Sequence, residues 1–179
     1  MLKWIVVAIL LLAGLLALRI VWASKRRLPR EGEPAPAFEL ADQQGRPRTL
    51  GEFAGRWLVL YFYPRDETPG CTKQACGFRD RWRELHRLGA EVAGVSVDAV
   101  ARHTEFAAAH ELPFTLLADT GGRVAAAYGS LTDLGFIRFA RRNTFIIDPQ
   151  GRIARVYTGV NAARNAEDIA AELRRLTTP

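Results

Sequence analysis

The chain has 179 residues, 49% hydrophobic and 25% charged, which is the size and balance of one average domain with a short appendage. That composition excludes disordered, collagen-like and low-complexity classes. The formal charge of +6 is concentrated at one end: residues 1–30 hold Lys3, Arg19, Lys25, Arg26, Arg27 and Arg30 with no acidic residue, so the rest is formally neutral and argues against nucleic acid as a partner. Two cysteines cannot staple a small secreted fold, and their closeness in sequence points to chemistry.

The first element is an apolar run over residues 4–18, broken by Arg19 and resumed by residues 20–23. As a helix, residues 4–23 would rise about 30 Å, the thickness of a bilayer core. Trp4 and Trp22 would then lie at the two interfaces, with Arg19 snorkelling from the last turn. Residues 1–23 are therefore expected to form a transmembrane helix, or uncleaved signal anchor, in the inner (cell) membrane. Four basic residues follow the run and only Lys3 precedes it, which places the main domain on the cytoplasmic side. The alternative is a cleaved signal peptide or a periplasmic domain, since Val21-Trp22-Ala23 loosely fits a cleavage site. Residues 24–31 read as a basic, Pro-containing linker, and residues 32–179 as the folded body.

The body alternates strands and helices. Residues 57–63 (WLVLYFY) form an apolar, aromatic run ended by Pro64, the mark of a buried central strand. Cys71, Ala75, Phe78, Trp82, Leu85 and Leu88 recur at helical spacing up to Gly89, predicting one helix over 71–88. Strands are expected at 91–97 and 114–117, and helices at 100–110 and 122–128. Asp148-Pro149-Gln150-Gly151 is a hairpin turn between strands 144–147 and 153–158, and 166–176 is an amphipathic last helix. Alternation that closes in a hairpin predicts an α/β fold with a mixed sheet flanked by helices.

Cys71 falls at the start of the predicted helix, where free N–H groups and the helix dipole favour a thiolate. Thr68, three residues earlier, can offer a hydroxyl to the sulfur or to a substrate. Cys76 lies five residues further along the same helix. In an intact helix such residues are about 8–9 Å apart on different faces, beyond the reach of a disulfide. Bonding the two thiols therefore requires the first turns to unwind. The spacing also argues against a C-x-x-C dithiol and against a structural zinc site. His86, His103 and His110 lack partners at useful spacing and read as surface or capping residues. Asp98, Asp119 and Asp148 read as turn or cap residues.

Residues 61–80, YFYPRDETPGCTKQACGFRD, resemble the active-site segment of the peroxiredoxins, and more narrowly of the Q-type or bacterioferritin comigratory class. Pro64, Thr68 and Cys71 match the P-x-x-x-T-x-x-C pattern, and G-C-T-x-x-A-C-x-F-R-D is the more specific extension. RNTFIID at 142–148 is a second match, and the resemblance runs from about Glu31 to the C-terminus. The apolar N-terminus lies outside the family's usual pattern.

The resemblance implies a thioredoxin-like fold and a thiol peroxidase that reduces hydrogen peroxide and organic hydroperoxides without a cofactor or a metal. Cys71 would be the peroxidatic cysteine, oxidised to a sulfenic acid, and Cys76 the resolving one. Arg142 would stabilise the thiolate and the charge developing on the peroxide, with Arg141 as the alternative. Thr68 would hydrogen-bond the peroxide, and Pro64 would hold the loop and shield the sulfur. Thioredoxin or a similar dithiol would recycle the disulfide. The class allows a monomer or a homodimer. The rivals are an anchored copper chaperone of the Sco type, a cytochrome-maturation reductase and a redox-inert scaffold. The cysteine spacing and the lack of a distal His count against the first, and the missing C-x-x-C against the second.

Overall fold

The computed structural model describes residues 27–177. The expected membrane segment, 1–23, lies outside them; among the described residues no helix is long and apolar enough to cross a membrane.

The elements run β1 (Glu39–Asp42), β2 (Pro47–Thr49), a 3-10 turn (Leu50–Phe53), β3 (Trp57–Phe62), α1 (Pro69–Asp80), α2 (Trp82–Arg87), β4 (Ala90–Ser96) and α3 (Val100–Ala109). They continue with β5 (Thr115–Ala118), α4 (Arg123–Ala127), β6 (Leu131–Asp133), β7 (Arg138–Ala140), β8 (Thr144–Ile147), β9 (Ile153–Tyr157) and α5 (Asn165–Thr177). Seven strands form one sheet in the order β2-β1-β5-β4-β3-β8-β9, and β6 and β7 form a separate hairpin. β4 runs parallel to β3 and to β5, while the β1–β5, β3–β8 and β8–β9 pairs are antiparallel. This is the expected mixed sheet of a thioredoxin-like fold.

β3 lies inside the sheet, paired along both edges, and its side chains enter a core on each face. Successive side chains point to opposite faces of a strand. Val59, Tyr61 and Tyr63 accordingly join one core with Cys71, Ala75, Phe78, Leu85 and Ile169. Leu58, Leu60 and Phe62 join a second core with Phe38, Val124, Tyr128 and Phe145. Full burial of each large apolar side chain contributes about 1.5–3 kcal/mol. Helix α1 is thus pressed onto one face of the sheet.

The single helix expected over 71–88 is two helices. Arg81, with φ −100° and ψ 3°, ends α1 and opens α2. The apolar stripe survives the break, since Phe78 and Leu85 are both fully buried. Arg81 turns outward there toward Glu84 at 3.3 Å and Glu167 at 4.0 Å. Strands β1, β2, β6 and β7 have no counterpart in the sequence reading.

Candidate active site

The site is built where β3 hands the chain to α1. The Phe62 N–H donates to the Asn143 carbonyl at 2.7 Å, and the Tyr63 N–H to the Val95 carbonyl at 3.1 Å, so the strand end is fixed from both sides. A loop beginning at the half-buried Pro64 leads to Thr68, the N-cap of α1, in extended conformation. Pro69 occupies the first helical position, where its missing N–H costs nothing. Cys71 is the third residue of the helix. The N–H groups of this turn have no intrahelical acceptor, and they point toward the N-terminal end, where negative charge is favoured.

The Cys71 side chain is buried, and one Arg142 guanidinium nitrogen (Nη2) donates to its Sγ at 3.4 Å. The other (Nη1) donates to Gln74 Oε1 at 2.6 Å. Gln74 Nε2 in turn donates to Asn165 Oδ1 at 2.8 Å, and the Thr144 hydroxyl donates to the same oxygen at 2.9 Å. Gln74, Thr144 and Asn165 are all buried. Residues from α1, β8 and α5 thus hold the guanidinium over the sulfur. Gly70 leaves the room it needs, since a Cβ there would lie 3.1 Å from Arg142 Nη2. Arg141 is exposed and donates instead to Thr132 Oγ1 at 3.1 Å.

Thr68 is half-buried, and its hydroxyl donates to the Arg65 carbonyl at 3.1 Å instead of capping the helix. Its oxygen keeps acceptor capacity for a ligand. Cys76 is half-buried further along the same continuous helix, and both thiols are free. The structure therefore brings Cys71 and Arg142 into contact, places Thr68 and Pro64 in the preceding segment, and leaves Cys76 on the far side of an intact helical turn.

Tyr61 packs beneath the site, its ring 4.8 Å from that of Phe78 and 5.4 Å from that of Tyr63. Burial pushes its phenol well above the ordinary value, and the nearby Asp66 and both cysteines add to this. It packs there as a neutral ring.

Sequence reasoning missed Gln74, Asn165 and Thr144. Gln74 carried a visible signal: it falls one helical turn after Cys71, on the stripe shared with Ala75 and Phe78. The reading of all three histidines as surface or capping residues is corrected for His103. It is fully buried, with Nδ1 2.7 Å from Asp66 Oδ2. His86 is exposed against Trp82, and His110 is half-buried with Nε2 3.5 Å from Glu67.

Residues 32–156 match the model of the AhpC/TSA family. The chain is 47% identical over 127 residues to the chloroplastic peroxiredoxin Q of Sedum lineare, covering 71% of this chain and 68% of that one. It is 40% identical over 148 residues to a peroxiredoxin bcp of Coxiella burnetii, covering 79% and 97%. Its fold superposes on a bacterioferritin comigratory protein of Xanthomonas campestris, a structure described for alkyl peroxide reduction, with a TM-score of 0.77 and 29% identity, covering 83% and 100%. The chain belongs to the AhpC/TSA family and, within it, to the peroxiredoxins of the Q, or BCP, type. It is an oxidoreductase, a thiol-dependent peroxidase of hydroperoxides.

Proposed function

We propose that Cys71 is the peroxidatic and Cys76 the resolving cysteine of this peroxidase. The carrying observation is the Arg142 guanidinium 3.4 Å from a buried sulfur in the first turn of a helix. The Cys71 thiolate attacks the nearer oxygen of the peroxide. The O–O bond breaks, the sulfur is oxidised to a sulfenic acid, and the distal oxygen leaves as water or an alcohol after taking a proton. Arg142 and the free N–H groups of the first turn stabilise the charge on the leaving oxygen. The Thr68 oxygen accepts a hydrogen bond from the peroxide and aligns it, while Pro64 closes the loop over the sulfur. The Cys76 thiol then displaces water from the sulfenic acid and closes a disulfide, which requires α1 to unwind. A dithiol of the thioredoxin type, presenting a thiolate to this disulfide, restores both thiols.

Hydrogen peroxide and organic hydroperoxides are the proposed substrates. The test is NADPH consumption by the full chain with thioredoxin, thioredoxin reductase and each peroxide. Turnover is expected to vanish in Cys71→Ser. In Cys76→Ser it is expected to fall while one stoichiometric oxidation of Cys71 persists. Persistence of turnover in Cys71→Ser refutes the assignment.

We also propose that residues 1–23 anchor the protein in the inner membrane with the body on the cytoplasmic side. The apolar run and the cluster Lys25, Arg26, Arg27 and Arg30 support this reading. The full chain is expected to stay in membranes washed at alkaline pH, and its body to resist protease added to intact spheroplasts. Release by the wash, or cleavage from outside, overturns it.

A further inference from the structure

The loop that delivers Cys71 is gripped by residues that the chemistry above does not use. Asp66 lies between β3 and α1, and its side chain is fully buried. One carboxylate oxygen accepts the Tyr63 hydroxyl at 2.7 Å, and the other meets His103 Nδ1 on α3 at 2.7 Å. The Asp66 N–H donates to Asp98 Oδ2 at 2.8 Å, an oxygen that also accepts the Ser96 hydroxyl at 2.7 Å. His103 is fully buried, and its Nε2 has no partner among the described residues. The next loop residue, Glu67, holds a left-handed φ of 60°, and its carboxylate lies 3.5 Å from His110 Nε2. His103 and His110 are two helical turns apart and share a face. His103 on α3 and His110 at its C-terminal cap thus meet two consecutive loop residues directly ahead of Thr68.

A buried pair of this kind adds little net stability over an apolar pair of the same shape. Without His103, the Asp66 carboxylate would keep the Tyr63 hydroxyl as its one side-chain partner. The loop would then move to bring the charge to water.

We propose that the Asp66–His103 pair is a positioning device for peroxide reduction. It fixes the loop over residues 64–68, and so holds Thr68 and the first turn of α1 with Cys71 under Arg142. This rests on the assignment of Cys71 and Cys76 above. Loosening the pair slows the reaction of Cys71 with peroxide, which needs the assembled site. Closure of the disulfide, which needs α1 unwound across both cysteines, keeps its rate or quickens.

The test uses the full chain in detergent, mixed with hydrogen peroxide and quenched in time. Sulfenic acid and disulfide are counted separately by mass spectrometry. In His103→Asn an amide nitrogen stands where Nδ1 stood and still donates to Asp66; in His103→Gln the donor is displaced. His103→Leu and His103→Gln are expected to slow oxidation of Cys71 roughly tenfold, the factor set by one lost hydrogen bond of ordinary net strength. His103→Asn is expected to stay within about twofold of the parent, with disulfide closure no slower in any of the three. If His103→Leu fails to fold, the Asn and Gln pair carries the test, since both keep an amide in the same space. Equal oxidation rates in Asn, Gln and parent overturn the proposal, as does a parallel slowing of both steps. A parent whose Cys71 does not react with peroxide overturns the cysteine assignment itself, and this inference with it.

Discussion

Replacing Arg142 tests the site most directly, because its guanidinium reaches both the Cys71 sulfur and Gln74. Arg142→Met removes the donor 3.4 Å from Cys71 Sγ and the one 2.6 Å from Gln74 Oε1. A unit charge at 3.4 Å interacts with a thiolate by about 5 kcal/mol at an effective dielectric of 20. Arg142 is only half-buried, so solvent screens part of this. Loss of one preorganised donor to a developing anion costs about 2.7–4 kcal/mol, or 10²–10³ in rate, which is below the unscreened Coulomb figure. The second-order rate of Cys71 oxidation should therefore drop by about 10²–10³ in Arg142→Met. Arg142→Lys keeps the charge, but one ammonium cannot span Gln74 and the sulfur as the planar fork does, so roughly a tenfold loss is expected. The assay is stopped-flow oxidation of the full chain by hydrogen peroxide, with circular dichroism to show an unchanged fold. Arg141→Met is the control, since Arg141 is exposed and bound to Thr132. If Arg142→Met reacts within about threefold of the parent, the guanidinium does not stabilise the reacting sulfur and the argument from geometry is wrong.

Gly94→Ala should destabilise the fold, because the new Cβ would lie 2.6 Å from Tyr61 Cζ and Oη, and the Tyr61 ring is pinned between Tyr63 and Phe78. The cost is about 2–3 kcal/mol, read as a fall of roughly 5–10 °C in Tm, and an unchanged Tm would mean that the ring has room to move. Asp42→Asn tests a pH dependence: burial alone would raise the Asp42 carboxyl, but the Arg46 and Gln44 N–H groups and the Arg48 guanidinium outweigh it and hold the carboxyl below its ordinary 3.8. A depressed carboxyl stabilises the fold above the ordinary value and loses that contribution as pH falls through the lowered one. The gap in denaturant midpoint between parent and Asp42→Asn should be constant near neutrality and close below about pH 4, and a gap independent of pH would refute the assignment.

What could be read from the sequence was what local pattern encodes. β3 was legible because a short apolar run, rich in aromatic residues and ended by Pro64, reads as a strand covered on both faces, and the β8–β9 turn because Asp-Pro-Gln-Gly specifies it. β1 and β2 were not, because ELAD and PRT carry no apolar run. They owe their order to the pairing of β1 with β5 and of β2 with β1, and to Asp42, which holds Arg46 at 3.2 Å and Arg48 at 3.0 Å. The break at Arg81 carries neither Gly nor Pro, so no breaker announced it. In the site, Cys71 and Arg142 were legible through motif, whereas His103 was not. Its partner Asp66 is 37 residues away, and only the packing of α3 against the loop makes them neighbours. The local signal lay in the spacing of His103 and Phe106, which puts the imidazole on the buried face of α3.

The spacing of the two cysteines and the composition of α1 make one argument. A disulfide across five helical residues demands unwinding, and α1 carries features that weaken a helix. Gly70 and Gly77 sit within it, and the Thr68 hydroxyl donates elsewhere instead of capping its first turn. Each interior Gly costs a helix about 1 kcal/mol relative to Ala. Gly77 is not required by packing, since a Cβ there would lie 3.5 Å from the Ala166 Cβ, an ordinary contact. Gly77→Ala should therefore stabilise the helical state without touching the site. Disulfide closure should slow by about fivefold, the factor that 1 kcal/mol sets, while the first oxidation of Cys71 keeps its rate. Under excess peroxide the longer-lived sulfenic acid should then be overoxidised more often, which mass spectrometry reads as sulfinic acid at Cys71. If closure keeps the parent's rate, unwinding of α1 does not limit that step, and Gly77 owes its place in the helix to something other than the redox cycle.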